Sequence, residues 1–326
     1  MNGRKSILLL ASLVSALAAF DCASGADGNH GGPVKIVVPY PAGGPADFVG
    51  RIVAQKLSEK AGARYYVENQ PGAGGAIGAA AVAHAPADGR TILLMNQDFV
   101  VEPAVKAKVP FDPFKDFAPV VEIATAPEMI SVNPSLPASS MQELIALLKA
   151  NPGKYNYATP GYGTSPHLGA EWLFKLTYGL DVVAIPFQGA VPAVQATLAG
   201  DTQIIPIVVT AVAPLIADGK LRGLAIAAHK RSPVVPDVPT LEEQGIQGHE
   251  IGFWIGAMVP AGTPTAIVDL LHDQIAEAMA QPEVQKRLAE IGFEPAVGTT
   301  QDFMTFIKAE SDKWKKVVSD AHVHID

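Results

Sequence analysis

Between residues 33 and 95 the hydrophobic pattern alternates between two periods. Val34-Lys35-Ile36-Val37-Val38 is a short apolar run that predicts a buried strand, and from Pro45 to about Lys60 the apolar positions recur at helical spacing. Arg64 to Val67 predicts a second strand, Ala76 to Ala85 an alanine-rich helix, and Thr91 to Met95 a third strand after the turn at Asp88-Gly89. Strands alternating with helices in this way imply an α/β class with a mostly parallel sheet, right-handed crossovers and flanking helices.

The pattern changes after Pro110. Phe111 to Phe117 is loop-like, and Val120 to Ile123 and Met129 to Val132 are extended segments leading into a second unit. A helix from Ser139 to Lys149 opens that unit, with Ser139 or Ser140 as N-cap and Glu143 placed for a capping box. Strands are expected at Tyr155 to Ala158, Val182 to Ile185, Ile204 to Val208 and Gly223 to Ala227, and helices at Pro166 and at Ala190 to Ala199. Ile251 to Val259 then returns the chain to the first unit, followed by helices at Ala266 to Ala280 and Pro282 to Ile291. A last amphipathic helix, with Thr299 and Asp302 near its start, puts Phe303, Phe306, Ile307, Trp314, Val317 and Val318 on one face, read as core packing. The expected organisation is two domains, 33–124 plus 256–326 and 125–255, with two crossing segments forming a hinge.

Composition narrows the function classes. The 326 residues are 48% hydrophobic and 17% charged, enough for two folded domains. A formal charge of -8 without any basic block argues against nucleic acid or an anionic membrane surface as partner. Arg4 and Lys5, the apolar run Ile7 to Phe20 and the small residues Ala23 to Ala26 read as a signal peptide over 1–26, so the protein is expected to be exported. The single cysteine, Cys22, lies in that leader; lipidation there competes with simple cleavage, but Phe20-Asp21 are poor neighbours for it. No later segment suits a membrane span. His322 and His324 have no third ligand nearby, so no metal is expected. Gly72-x-Gly74-x-x-x-Gly78 departs from the dinucleotide spacing, and no cofactor is expected.

The chemistry sits in the turns. Pro41-Ala42-Gly43-Gly44 joins the first strand to a helix beginning at Pro45, and the device recurs at Glu68 to Gly75, at Thr159 to Ser165 and at Pro186 to Gly189. Glycine lets backbone approach a ligand, and a helix start presents unpaired N–H groups at the positive end of its dipole, so such turns favour an anion. No lysine or arginine falls within 68–89, 156–172 or 186–203, so the expected grip is backbone, hydroxyl and water rather than a guanidinium fork. Asp47, three residues into its helix, suits the dipole. Thr164-Ser165-Pro166-His167 leaves a second reading open, an exported serine hydrolase with Ser165 as nucleophile and His167 as base, although Ser165 as N-cap and Pro166 as first helical residue explain the run without catalysis.

Taken together, Pro39 to Gly44 with Asp47 and Arg51, Glu68 to Gly75, Ala87-Asp88-Gly89, Gly161 to Leu168 with Glu171, Pro186 to Gly189, Pro236 to Thr240 and Val259 to Pro264 resemble the Bug-type (TctC-like) extracytoplasmic receptors of tripartite tricarboxylate transporters over nearly the whole mature chain. The resemblance implies a type II periplasmic binding protein whose two domains close on a small carboxylate and pass it to transporter membrane subunits. It implies binding by Tyr40, Pro41, Ala42, Gly43, Gly44 and Asp47, by Gly74, Gly75 and Asn96, and across the cleft by Gly163, Thr164, Ser165, His167, Phe187, Gln188, Gly189 and Ala190. Gln188, where the family often has lysine, and Asn96-Gln97-Asp98 depart from the family pattern, leaving the ligand's distal group open to an organic acid, an aromatic acid or an amide. A ligand-sensing partner of a membrane signalling protein is a third reading.

Overall fold

The computed structural model describes residues 32–321 except 61 and 107; the leader, Cys22, His322 and His324 lie outside them. In chain order the elements are β1 (Val34–Val38), α1 (Pro45–Lys60), β2 (Tyr65–Asn69), α2 (Ala76–Ala83), β3 (Thr91–Asn96), α3 (Asp98–Val105), β4 (Phe117–Val132), α4 (Met141–Ala150), β5 (Asn156–Thr159), α5 (Ser165–Ala170), β6 (Val183–Pro186), α6 (Ala190–Ala199) and β7 (Ile204–Val208). Then follow α7 (Val209–Ala217), β8 (Arg222–Ile226), β9 (Gly252–Pro260), α8 (Thr265–Met279), α9 (Pro282–Ala289), β10 (Glu294–Pro295) and α10 (Thr300–Ala321).

The strands run in the order β2-β1-β3-β9-β4-β7-β5-β6, with β8 and β10 also paired to β4. The outer strands are parallel, as the alternating pattern predicts: β1 with β2 and β3, β5 with β6 and β7. The middle is antiparallel, because β4 and β9 are the segments that leave the first unit and come back to it. The sheet is therefore mixed rather than mostly parallel in each half.

The two extended segments expected near residue 120 and residue 130 are one strand. β4 is 16 residues long, on the order of 50 Å at the usual rise per residue. Pro119 and Pro127 lie within it, and proline cannot donate to a ladder. The pairing with β9 shifts register after Pro119 and ends at Pro127, opposite Gly252. From Glu128 onward β4 pairs with β7 instead, so Pro127 falls where the strand changes partners. There the Glu128 N–H donates to Ile251 O (3.0 Å), the Ala227 N–H to Glu128 O (2.8 Å) and the Ile251 N–H to Ala227 O (3.0 Å). The crossing segments are thus hydrogen-bonded to each other.

Both faces of the sheet are buried. Ile36, Val38, Ile92 and Leu94 face a core covered by α1, α7, α8 and α9, while Val37, Leu93 and Met95 face a second core under α2, α3, α4 and α10. Alternate residues of one strand point to opposite faces, so near-continuous apolar strands are what a three-layer sandwich requires. On α4 the Ser140 hydroxyl caps the Glu143 N–H (3.2 Å) and the Glu143 carboxylate returns to the Ser139 N–H (2.7 Å). On α10 Phe303, Ile307, Trp314, Val317 and Val318 are buried as expected, and Phe303 and Phe306 meet Trp254 of β9 edge to face.

Gly256 lies under that aromatic group. A Cβ built there falls 2.1 Å from the Phe303 ring. Gly256→Ala is therefore expected to lower stability by about 1–3 kcal/mol through overpacking, with the denaturation midpoint reduced at unchanged slope; wild-type stability would show that Phe303 moves freely.

Candidate functional site

Parallel strands followed by helices leave a crevice at their carboxyl ends, where ligands of open α/β sheets bind. Here the loops after β1, β2, β3, β5 and β6 border a cavity of ≈ 610 Å³. One wall contains Tyr40, Pro41, Gly44, Pro45, Ala46, Gly74, Gly75, Asn96, Asp98 and Lys106. The other contains Gly161, Tyr162, Thr164, Phe187, Gln188, Gly189, Ala190 and Val191, with Phe253 also on the lining.

The first turn is held by Asp47, which does not line the cavity. Its buried carboxylate accepts the Gly43 N–H (2.9 Å), Arg51 Nε (2.8 Å) and Asn69 Nδ2 (3.0 Å). Burial alone would raise its pKa, but these donors outweigh it and hold the carboxyl below its ordinary value. Asn69 also reaches Tyr40 O at 3.1 Å. The Gly43 N–H is thereby committed to the scaffold, and Ala42 and Gly43 are exposed outside the cavity. Gly43 supplies a φ of 83° instead. Gly44 and Ala46 carry the turn's lining role, and among the described residues the Ala46 N–H makes no hydrogen bond within the chain, nor do those of Gln188 and Ala190 at the start of α6.

Across the cleft, Thr164 lines the cavity while Gly163, Ser165 and His167 stand behind it. His167 Nδ1 accepts the Gly163 N–H (3.2 Å), and the ring meets Tyr162 edge to face. Burial pushes its pKa down to about 4, so the imidazole stays neutral and buttresses the loop. Thr164, not Ser165, is the N-cap residue of α5. Ser165 Oγ donates to Glu128 Oε1 (3.0 Å) and accepts from Gln97 Nε2, and its N–H donates to Asp98 Oδ1 (3.2 Å). The Ser165 hydroxyl is thus engaged by Glu128 and Gln97 rather than by His167 and lies off the cavity, which removes the geometric basis of the hydrolase reading.

The walls meet at Gly189. Its φ is 114°, its N–H donates to Pro160 O (3.0 Å), and a Cβ there would lie 3.1 Å from Pro41 Cγ.

The sequence reading missed one set of groups. Residues 98–105, to which the hydrophobic pattern assigns no element, are α3, which carries Pro103 and a β-branched pair, Val100-Val101. It brings Asp98 and Lys106 to the cavity, so a cation is present after all, but Lys106 is ion-paired with fully buried Glu102. The available signal was the spacing Asp98, Glu102, Lys106, which stacks three charges on one helical face. Tyr40 Oη donates to Asn96 Oδ1 (2.5 Å), which also accepts the Asp98 N–H (2.8 Å). Burial, then the Glu102 charge, pushes Asp98 up to about 7, and burial pushes Glu128 up to about 8. Elsewhere, His229, Glu242 and Glu250 are the one carboxylate–imidazole group of metal-ligating size among the described residues, away from the cavity lining.

A family profile described as "Tripartite tricarboxylate transporter family receptor" matches residues 49–323. Protein BugT of Bordetella pertussis is 34% identical over 318 residues, covering 96% of this chain and 96% of that protein. Among solved structures, R. palustris Rpa4515 with adipate aligns with a TM-score of 0.86 at 33% identity, covering 90% of this chain and 98% of that one. The periplasmic binding protein BugD aligns with a TM-score of 0.85 at 32% identity, covering 90% and 98%. No helix among the described residues is long and apolar enough to cross a membrane.

Asp98 and Glu128 give the fold a pH dependence of defined sign. Folding raises both pKa values, so the native state holds more protons than the unfolded chain between the ordinary carboxylate range and the shifted values. Stability is fully present below about pH 4 in this respect and falls as pH rises toward about 8. The melting temperature of the ligand-free protein is expected to drop between about pH 5 and about pH 8, and Glu128→Gln to flatten the drop. A rising profile, or an unchanged slope in Glu128→Gln, would contradict this.

Proposed function

The chain belongs to the tripartite tricarboxylate transporter receptor family, and from that premise we propose that it is an exported periplasmic solute-binding protein that captures a small carboxylate in this cleft and delivers it to the membrane subunits of such a transporter. Family membership makes it a binding receptor, not an enzyme. The observation that carries the ligand reading is the set of unpaired N–H groups at Ala46, Gln188 and Ala190, from two helix starts that border one cavity. An anion placed between them gains from both dipoles without any arginine. Adipate bound to Rpa4515 supports this ligand class.

In this reading residues 33–124 with 256–321 act as one jaw and 125–255 as the other, swinging about β4 and the chain entering β9, which are paired with each other. Gly189 and Pro41 are where closure brings the jaws together. A methyl group there, already at 3.1 Å, props them apart.

A panel of mono- and dicarboxylates, amino acids and amides should contain compounds that raise the melting temperature of the mature protein; at a hundredfold excess over Kd the stabilisation is about 2.7 kcal/mol. Gly189→Ala should weaken the best compound by about tenfold or more. Gly219→Ala serves as control, since it has a φ of 69° but nothing within 4 Å of its Cβ, and should leave binding unchanged. A panel with no active compound would refute the receptor reading, and equal weakening by both variants would remove Gly189 from the closing contact.

A further inference from the structure

We infer that the cleft takes a zwitterion, a small carboxylic acid that also bears an amine, with the carboxylate at the helix starts and the ammonium at Asp98. The inference rests on the receptor reading above and narrows its ligand class.

Asp98 is on the cavity wall and only 4% exposed. Its partners are the Ser165 N–H at 3.2 Å, Tyr40 Oη at 3.4 Å and the Asn96 side chain. None is a cation. One turn further on, Glu102 is fully buried and its Oε1 accepts no hydrogen bond. That oxygen lies against Gly74 of the cavity wall, so closely that a Cβ on Gly74 would fall 1.7 Å from it. Lys106 is the cationic side chain on the wall among the described residues, and it is ion-paired with Glu102. Glu128, buried behind Ser165, adds a third carboxyl. Asp98 and Glu102 thus share one ammonium, that of Lys106, at this end of the cavity, while Glu128, on which Lys313 acts, stands behind them.

A buried carboxyl beside a like charge either keeps its proton or acquires a cation. An ammonium arriving with the ligand would meet Asp98 in a desolvated site, where a charge-assisted hydrogen bond is strong. A second ligand carboxylate would meet Asp98 and Glu102 as repulsive neighbours unless Asp98 stayed protonated and donated to it. The groups facing Asp98 are Tyr40 from the first turn, Asn96, Glu102 and Lys106 from its own segment, Ser165 from α5 and Glu128 from β4, and Lys313 of α10 acts on Glu128. With Asp98 titrating at about 7, the two arrangements respond to pH with opposite sign: amine binding strengthens as Asp98 ionises, and dicarboxylate binding weakens.

The test is calorimetric titration with matched probes, glutamate against glutarate and γ-aminobutyrate against succinate, at about pH 6 and about pH 8, bracketing that value. At least one amine-bearing probe should bind about tenfold or more tighter than its partner, and the preference should grow with pH. Asp98→Asn keeps an acceptor for the Ser165 N–H and should erase the preference; Glu102→Gln, which leaves Lys106 uncompensated, should shift it toward dicarboxylates. Thermal melts of both variants check folding. Dicarboxylates that bind the wild-type protein as tightly as the amines, or an amine preference that survives Asp98→Asn, overturn the inference while leaving a carboxylate receptor. Dicarboxylate binding that requires added Ca²⁺ overturns it in favour of a bridging metal. Silence from all four probes, with other carboxylates active, overturns it as well; silence across the whole carboxylate panel refutes the receptor reading too.

Discussion

The cleft exists because β4 keeps its ladder intact while changing partners. For eleven residues, Phe117 to Pro127, it lies along β9, and from Glu128 it lies along β7. A break there would leave backbone N–H and C=O groups of a buried strand unpaired, each costing about 1–3 kcal/mol. The handover avoids this by passing hydrogen bonds among Glu128, Ile251 and Ala227. It also fixes direction: parallel strands on either side end their carboxyl termini at one crevice, so turns far apart in sequence come to face each other. A hinge made of hydrogen-bonded strands can twist, but it cannot slide without flipping side chains between two buried faces.

The same handover brings carboxyl groups into the interior. Glu128 sits at the first residue after Pro127, and its side chain is 3.0 Å from Ser165 Oγ. Gln97 links that serine to the Trp254 N–H at 3.3 Å, and Asp98 takes the serine N–H. Elements from both sides of the cleft and from both crossing strands thus meet in one polar network. A buried network is rigid when its members are satisfied and costly when they are not. Here the hydroxyl and amide are satisfied, whereas the carboxyls have neutral donors and each other, which is why their proton affinity rises with burial.

The architecture was legible because its signal is local. Each strand–glycine–helix turn declares itself within about ten residues by a change of hydrophobic period, and the turns at Tyr40 to Gly44 and Phe187 to Ala190 do contribute to the cavity wall. What escaped was set by contacts between distant segments. Pro119 and Pro127 look like strand breakers unless the partner strands are known, and α3 carries a β-branched pair and Pro103 that weaken its local helical signal. Ala42, Gly43, Asp47, Gly163, Ser165 and His167 belong to turns that border the cavity but lie off its lining. Sequence shows that a polar residue lies in a binding turn; it does not show whether its donors are committed to the protein, as the Gly43 N–H is to Asp47.

That distinction also orders the electrostatics of the cleft. Helix starts offer partial positive charge that is fixed in the backbone and carries no counter-ion, so they act on an anion without needing a basic side chain. The one basic group on the wall among the described residues, Lys106, is ion-paired with Glu102, and its field is largely cancelled there. The anion-attracting region of the cavity is therefore the pair of glycine turns and not the lysine. The region around Asp98 is the reverse: a carboxyl close to neutrality only because burial and Glu102 keep its proton on. A ligand with charge at only one end would use half of this polarity. One with opposite charges at its two ends would use both, and would relieve the buried acid instead of adding to its repulsion.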